Sequence, residues 1–151
     1  MKRATAILCA AIPALLLAAC FGRRARPDVP AGYVTVRTTG DTPLSAVSSD
    51  GNRLIVRSHE NPPEGMLEFW REAVQNELVA GRGYELPESS TITGPADRPA
   101  WEFLFRVDRA EGPYLYLVTV RVEGRTVVTA EAGGAEASLR EDLPELRRAL
   151  R

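Results

Sequence analysis

Hydrophobic and polar residues alternate with a period of two along most of the chain beyond position 32. Such alternation is typical of strands that bury one face. It predicts three early strands and about four later ones, at positions 33–38, 44–48, 53–58, 90–93, 101–107, 114–122 and 125–132. The segment 114–122, YLYLVTVRV, starts with a nearly continuous apolar run, which predicts a strand covered on both faces.

A helical period separates the two groups of strands. Apolar side chains recur there at helical spacing: Met66, Trp70, Val74 and Leu78. Asn61 precedes this segment, with Pro62 and Glu64 at the spacing of a capping box, so Asn61 is the predicted N-cap. Gly81 is the predicted end, because the residue that follows a helix often adopts the left-handed conformation.

A second helical stripe of leucines ends the chain, at Leu139, Leu143, Leu146 and Leu150. Pro144 lies inside this stripe and lacks the N–H that a continuous helix requires. We therefore expect a short turn near 135–140, followed by a terminal helix that Asp142 and Glu145 cap.

The order of these elements predicts an α+β fold. Short hairpins join the late strands, so the sheet is mainly antiparallel. Two amphipathic helices must cover it, and the strand that is apolar on both sides places them on opposite faces. A cystatin-like arrangement, with one long helix on a curved antiparallel sheet, is the alternative.

Several short stretches resemble the PsbP-like α/β/α sandwich, a layout that some bacterial lipoproteins share. Asn61-Pro62 precede a helix that carries Phe69 and Trp70, and Gly83-Tyr84 follow it. The stretch GPYLYLVTV is then followed by AEAGG and a leucine-rich terminal helix. The resemblance covers about residues 33–151 and implies a fold, but it brings no catalytic residues.

The start of the chain is typical of a secretory signal. Lys2 and Arg3 precede an uncharged stretch of sixteen residues from Ala4 to Ala19. At about 1.5 Å per residue, a helix of this length reaches ~24 Å, less than the ~30 Å hydrocarbon core of a bilayer. The stretch is therefore too short for a membrane-spanning helix.

The tetrapeptide Leu17-Ala18-Ala19-Cys20 resembles the lipobox of bacterial lipoproteins. The resemblance implies that the Cys20 thiol receives a diacylglyceryl group and that cleavage precedes this residue. An ordinary signal cut after Ala19, with Cys20 unmodified, is the alternative. Because Phe21 rather than Asp follows the cysteine, the resemblance implies the outer membrane rather than the inner one.

The predicted organisation has three parts: a lipoprotein signal peptide over 1–19, the lipidated Cys20 with a flexible tether over 20–32, and a single α+β domain over 33–151. Loss of residues 1–19 leaves 17 basic and 20 acidic residues, a net charge of about −3. This balance argues against a nucleic-acid partner. Cys9 leaves with the signal, so the domain holds no cysteine for a disulfide, a thiolate metal site or a nucleophile.

Candidate chemistry is sparse. His59 is the only histidine, and we expect no metal site because it has no second histidine to join it. A hydrolase that uses His59 as its base is a remote alternative, since no G-x-S-x-G elbow surrounds any serine. Glu68, Glu72 and Glu77 share the long helix with Arg71, a pattern typical of a solvated face. We predict no catalytic, cofactor-binding or metal-binding residues.

Glycine pairs offer little more. The stretch 81–83, GRG, is too short for a nucleotide-binding loop and predicts a helix stop. The pair Gly133-Gly134 predicts a turn before the last helix, with backbone N–H groups available to an anion as the less favoured interpretation.

Three tyrosines, Tyr84, Tyr114 and Tyr116, form a candidate partner surface, because a tyrosine ring combines contact area with one polar tip. Packing of these rings in the core is the equal alternative. We therefore predict a non-enzymatic, membrane-anchored envelope lipoprotein that acts as a binding or assembly module. Its predicted partners are the bilayer, through acylated Cys20, and an envelope protein. A periplasm-facing carrier of a small apolar or anionic ligand is the alternative.

Overall fold

The computed structural model describes residues 28–36 and 38–150. Cys20 and the predicted signal peptide lie outside these residues. Within them, the chain forms seven strands, two α-helices, one π-helical segment and a short 3₁₀-helix at Pro95–Asp97. The elements are β1 Tyr33–Thr35, β2 Leu44–Ser48, β3 Arg53–Glu60, α1 Leu67–Gln75, the π-helical segment Asn76–Gly81, β4 Glu85–Thr93, β5 Pro99–Arg109, β6 Gly112–Glu123, β7 Thr126–Ala135 and α2 Glu136–Ala149.

The strands form one sheet in the order β1-β2-β3-β7-β6-β5-β4, and every neighbouring pair is antiparallel. The pairing of β3 with β7 joins the early and late strands. Helix α1 covers one face of the sheet and α2 covers the other, which confirms the predicted α+β sandwich. The cystatin-like alternative is wrong because α2 occupies the face that such a fold leaves without a helix.

Strand β6 is buried on both sides, as its sequence predicts. Leu115 and Leu117 pack with the leucines of α2, whereas Val118 and Val120 belong to the core under α1. The α1 core is aromatic: the rings of Trp101 and Phe103, and of Phe103 and Phe105, stack at centroid distances of 6.1 and 5.7 Å. The two cores therefore differ in composition: the core under α2 is mainly aliphatic, whereas the core under α1 combines aromatic rings with valines.

Most strands are longer than their predicted ranges, because pairing with a neighbour extends them. Strand β4 begins at Glu85 rather than at position 90, and it pairs with β5 with a register shift between Glu85 and Glu88. Strand β1 is shorter than predicted and ends at Thr35. No helix within the described residues is both long enough and apolar enough to cross a membrane.

The predicted cap at Asn61 is wrong. Helix α1 starts at Leu67, five residues later than a cap at Asn61 requires, and its N-cap Met66 makes no side-chain hydrogen bond. The buried Asn61 amide instead closes the preceding loop. It donates to the carbonyl of Gly65 and accepts from the Gly65 N–H and the Trp70 indole, each at 2.9 Å.

The predicted break in the last helix is also wrong. Helix α2 runs without interruption from Glu136 to Ala149 with Pro144 inside it. A helical proline costs about 3 kcal/mol. Four buried leucines of the stripe flank it, and burying each one against the sheet is worth about 1.5–3 kcal/mol. Burial therefore outweighs the local cost.

Gly133 and Gly134 form no turn, because both lie within β7, which continues to Ala135. Their predicted role as exposed anion-binding N–H groups fails for the same reason. The predicted cap Asp142 lies in the middle of α2. Its carboxylate accepts hydrogen bonds from the Tyr33 hydroxyl and the Asn52 amide, each at 2.8 Å.

A buried polar network connects these segments. Asn52 is fully buried just before β3, and its side chain binds both Asp142 and the Ser138 hydroxyl on α2. Gly134 leaves room for it, because a Cβ at this position would lie 1.7 Å from the Asn52 Oδ1. The network also raises the pKa of Tyr33, through burial of its ring and then through its bond to Asp142. The Asn52 amide, which packs directly on the backbone of Gly134, thus connects β1, β3, β7 and α2.

A pair of salt bridges made by Arg147 holds the C-terminal end of α2 on the sheet. Arg147 bonds Glu102 on β5 and Glu88 on β4, each at 2.8 Å. Glu102 is only 4% exposed, and this guanidinium is the counter-charge that offsets the cost of burying its carboxylate.

Gly134→Ala tests the buried network. We expect it to lower the free energy of unfolding by about 3 kcal/mol or more, because the new methyl group must displace the Asn52 amide from its partners. Urea unfolding followed by tryptophan fluorescence measures the change. Gly40→Ala is the matched control, since nothing lies within 4 Å of a Cβ at Gly40. Equal stability of the two variants would contradict this account.

Arg147→Leu tests the salt bridges that Arg147 makes with Glu102 and Glu88. Loss of the guanidinium leaves Glu102 buried without a counter-charge, which costs about 3 kcal/mol of unfolding free energy. The double variant Arg147→Leu/Glu102→Gln is expected to recover most of that loss. Arg148→Leu breaks an exposed pair with Glu145 and should cost less than about 1 kcal/mol. An Arg147→Leu effect as small as that of Arg148→Leu would refute the assignment.

Candidate functional site

Helix α1 leaves one end of its sheet face open. There the sheet and the chain that leaves the helix enclose a concave surface with a volume of about 250 Å³, which we call the tyrosine–arginine groove. Its lining comes from β3, β5, β6, β7 and the segment after α1. The residues are Arg53, Ile55, Arg82, Tyr84, Val107, Arg109, Tyr114, Tyr116, Glu131 and Gly133.

The structure brings all three predicted tyrosines to this groove. Tyr114 and Tyr116 are two positions apart on β6, so both point to the face that carries α1. Tyr84 arrives from the end of the π-helical segment. Gly83 adopts a left-handed conformation there, with φ of +73°.

The glycine closes the helix end in an αL motif, in which the N–H of the left-handed residue donates to the carbonyl four residues before it. The Gly83 N–H donates to the carbonyl of Val79 at 3.0 Å, and the Tyr84 N–H donates to the carbonyl of Leu78 at 2.9 Å. The predicted helix stop is therefore confirmed, although the left-handed residue is Gly83 and not Gly81. The reversal turns Tyr84 back onto the sheet.

Aromatic contacts fix the Tyr84 ring. It meets the rings of Phe105 and Tyr116 edge to face, at centroid distances of 6.5 and 6.3 Å. Such contacts contribute about 0.5–1.5 kcal/mol beyond the area they bury. Tyr84 is thus anchored on one side and half exposed to the groove on the other.

Gly133 forms part of the groove floor. A Cβ at this position would lie 3.3 Å from the Tyr116 ring and 3.4 Å from the Tyr114 ring. Both tyrosine rings therefore pack over bare backbone. A larger residue in this position would lift the two rings and reshape the groove.

The groove carries an excess of positive charge. Arg82 pairs with Glu77 and Arg57, just beyond the lining, pairs with Glu131. Arg53 and Arg109 are exposed and form no ion pair with a carboxylate of the described chain. The Arg109 guanidinium instead lies 4.3 Å from the centroid of the Tyr114 ring, in a cation–π contact.

Glu131 is the one acidic residue in the lining, and its charge is already compensated. One carboxylate oxygen lies 2.8 Å from the Arg57 guanidinium, and the other accepts the Tyr116 hydroxyl proton in a hydrogen bond. Burial raises the pKa of Tyr116, and the bond to Glu131 raises it further. Tyr116 therefore stays a neutral donor, and Arg53 and Arg109 set the charge that a ligand meets.

Sequence reasoning missed the arginines. The alternation of β3 does indicate that Arg53, Ile55 and Arg57 point to one face of the sheet. Arg109 is recognisable only as a charged residue at the end of β5. Neither pattern predicts which strands become neighbours in the sheet. Only the pairing of β3 with β7 and of β7 with β6 places Arg53 beside the tyrosines.

The other candidate residues lie elsewhere. His59 is exposed on β3, six positions from Arg53, or about 20 Å along the strand. Glu68 receives the Trp101 indole N–H at 3.0 Å and pairs with Arg71. These bonds lower the pKa of Glu68, the opposite of what a general acid requires. The described residues contain no cluster of three or more histidine, cysteine or acidic side chains fit to hold a metal ion.

The groove is therefore suited to binding. Arginine guanidinium groups recognise carboxylate and phosphate groups in a bidentate manner. The tyrosine rings offer flat apolar area with hydroxyl tips. Its lining, as far as the structure describes it, includes no histidine, cysteine or serine to act as a base or nucleophile.

No family model and no curated protein matches the sequence. Solved structures do share its architecture. The PsbP protein of the cyanobacterium Synechocystis is 14% identical, with a TM-score of 0.57 and 80% of each chain covered. LpqN of Mycobacterium tuberculosis, a protein involved in cell envelope biogenesis, is 11% identical with a TM-score of 0.58, covering 81% of this chain and 77% of LpqN.

A third similar structure is the Ran-binding protein Mog1p of Saccharomyces cerevisiae. It is 16% identical, with a TM-score of 0.54, and the match covers 82% of this chain and 87% of Mog1p. Identities this low show a common fold and nothing about activity. The chain therefore has the PsbP-like α/β/α sandwich that its sequence predicts.

Proposed function

We propose that this chain is a non-enzymatic binding module that a lipid on Cys20 holds at the bacterial cell envelope, with the tyrosine–arginine groove as its binding surface. One observation carries the proposal: three tyrosines from two separate parts of the chain converge with Arg53 and Arg109 at the open end of one sheet face. Tyrosine and arginine are enriched among the residues that dominate binding energy at protein interfaces.

The entry point of the chain supports a role close to a membrane. Val34 on β1 pairs with Val47 on β2, and Val47 pairs with Arg53 on β3. The chain thus enters the sheet two strands, or about 10 Å, from the groove. Tyr33 lies thirteen positions after Cys20, a stretch that reaches at most ~45 Å. A lipid on Cys20 would keep the groove near the bilayer surface.

The similar structures support the same class of function. LpqN is involved in cell envelope biogenesis and Mog1p binds Ran, so proteins with this fold serve the envelope and bind other proteins. Following the lipobox resemblance, we assign the anchored protein to the periplasmic side, and Phe21 after the cysteine favours the outer membrane.

The groove also favours a second candidate, a carrier of a small anionic ligand. Its volume of about 250 Å³ suits a small organic anion, and its arginines supply the counter-charge. The two candidates differ in what occupies the groove in the cell, so one experiment can separate them.

The lipid anchor is tested by growth on a palmitate analogue that carries a click handle. We expect label on the mature protein and a mature N-terminus at Cys20, because the cysteine thiol and the amine freed by cleavage carry the acyl chains. Cys20→Ser should abolish the label, whereas Cys9→Ser, the matched control within the signal, should retain it. Label that survives Cys20→Ser, or a mature chain that begins elsewhere, would refute the anchor.

The binding surface is tested with the photocrosslinker p-benzoylphenylalanine at Tyr84 in the full-length protein in its native cells. We expect one reproducible protein adduct, since Tyr84 faces the groove and is only half exposed. The same crosslinker at Glu141, exposed on α2 on the opposite side of the sheet, is the matched control and should give no such adduct.

The result separates the candidate functions. An adduct with a small molecule of constant mass, seen by intact-protein mass spectrometry, would favour the carrier. Equal adducts from positions 84 and 141, or none from either, would contradict the assignment of the groove as a binding surface.

A further inference from the structure

We propose that the partner inserts an extended acidic protein segment into the tyrosine–arginine groove, with its carboxylates paired to Arg53 and Arg109 and an apolar side chain between them. This inference rests on the proposed function and adds the chemistry of the partner. The charge, the spacing and the shape of the groove each lead to it.

Charge is the first argument. The chain as a whole has a formal net charge of −1. The groove is locally basic. The Glu131 carboxylate already forms an ion pair with Arg57 and accepts a hydrogen bond from the Tyr116 hydroxyl, while Arg53 and Arg109 have no carboxylate partner in the described chain. Two exposed guanidinium groups without counter-charges attract an anion.

The spacing of the two arginines is the second argument. Arg53 lies in the row that runs through Gly133 and Tyr116 to Phe105, and Arg109 is four positions further along β5 than Phe105. Three strand spacings across and four residues along place their Cα atoms about 20 Å apart. The contact with Tyr114 keeps the Arg109 guanidinium at its own end of the groove. The spacing matches two carboxylates separated along a chain better than one small anion.

Shape is the third argument. The tyrosine rings lie between the two arginines and present apolar area, so the middle of the groove suits an apolar or aromatic side chain. Beyond Arg53, the same sheet face continues to Val34 and Val36, which are 68% and 66% exposed. A segment of about six extended residues, at ~3.3 Å each, spans the arginines and can continue onto these valines.

The experiment determines the amino-acid sequence of the segment that is crosslinked in the groove. The crosslinker at Tyr84 in the full-length protein is activated in cells, and the crosslinked peptide is sequenced by mass spectrometry. Arg53→Glu/Arg109→Glu is compared with Arg53→Lys/Arg109→Lys, which keeps both charges. Arg125→Glu, on an exposed turn at the opposite end of the sheet, is the matched control for an added negative charge.

We expect a crosslinked segment with aspartate or glutamate on both sides of an apolar residue. Charge reversal should lower the adduct yield about tenfold or more, the lysine variant should retain most of it, and Arg125→Glu should leave it unchanged. The yield should also fall as salt shortens the Debye length from ~10 Å at 0.1 M. Unchanged thermal unfolding of the variants confirms that the fold is intact.

Other outcomes overturn the inference. A captured protein segment without acidic residues, or a yield that resists charge reversal, refutes it and leaves the proposed function standing. A phospholipid adduct refutes it in favour of a membrane surface, and a small-molecule adduct refutes it in favour of the carrier. Absence of any adduct refutes the proposed function as well.

Discussion

One buried amide determines how helix α2 meets the sheet. Asn52 has no exposed surface and hydrogen-bonds to two side chains of α2, in a space that exists only because residue 134 is glycine. A buried amide that lost these partners would cost about 1–3 kcal/mol, so the network tolerates little displacement. It lies next to Arg53 in the chain, and the register that seats it also sets Arg53 opposite Gly133. The same register of β3 on β7 therefore places the network on one face and Arg53 at the groove on the other.

Two adjacent glycines of β7 serve opposite faces of the sheet. Gly134 makes room for Asn52 beneath α2, and Gly133 makes room for the tyrosine rings of the groove. Successive strand residues point to opposite sides, so a pair of glycines lets both layers approach the same stretch of backbone. The packing that holds the protein together and the surface that we propose for binding are thus built on neighbouring residues.

The sequence predicts much of this fold, since periodicity reports which side of an element is buried. The strand at 44–48 and the doubly covered β6 are found as predicted. The predictions failed where long-range contacts override local preference. Pro144 stays helical because leucines around it are buried, and Asn61 binds Gly65 and Trp70 instead of capping α1. Among the groove residues, the three tyrosines could be predicted from residue type alone. The position of the arginines beside them depends on strand order, which no local sequence pattern encodes.

The pairing of β3 with β7 also has a consequence for the order in which the chain can fold. Its partners, from Glu60–Thr126 to Arg53–Gly133, lie between 66 and 80 positions apart. The three early strands have no neighbour on that side until nearly the whole polypeptide has been synthesised. Sheets that depend on such distant pairings form slowly, because the loop must close before any contact rewards it. The edge of β3 that faces β7 would therefore stay unpaired until late in synthesis.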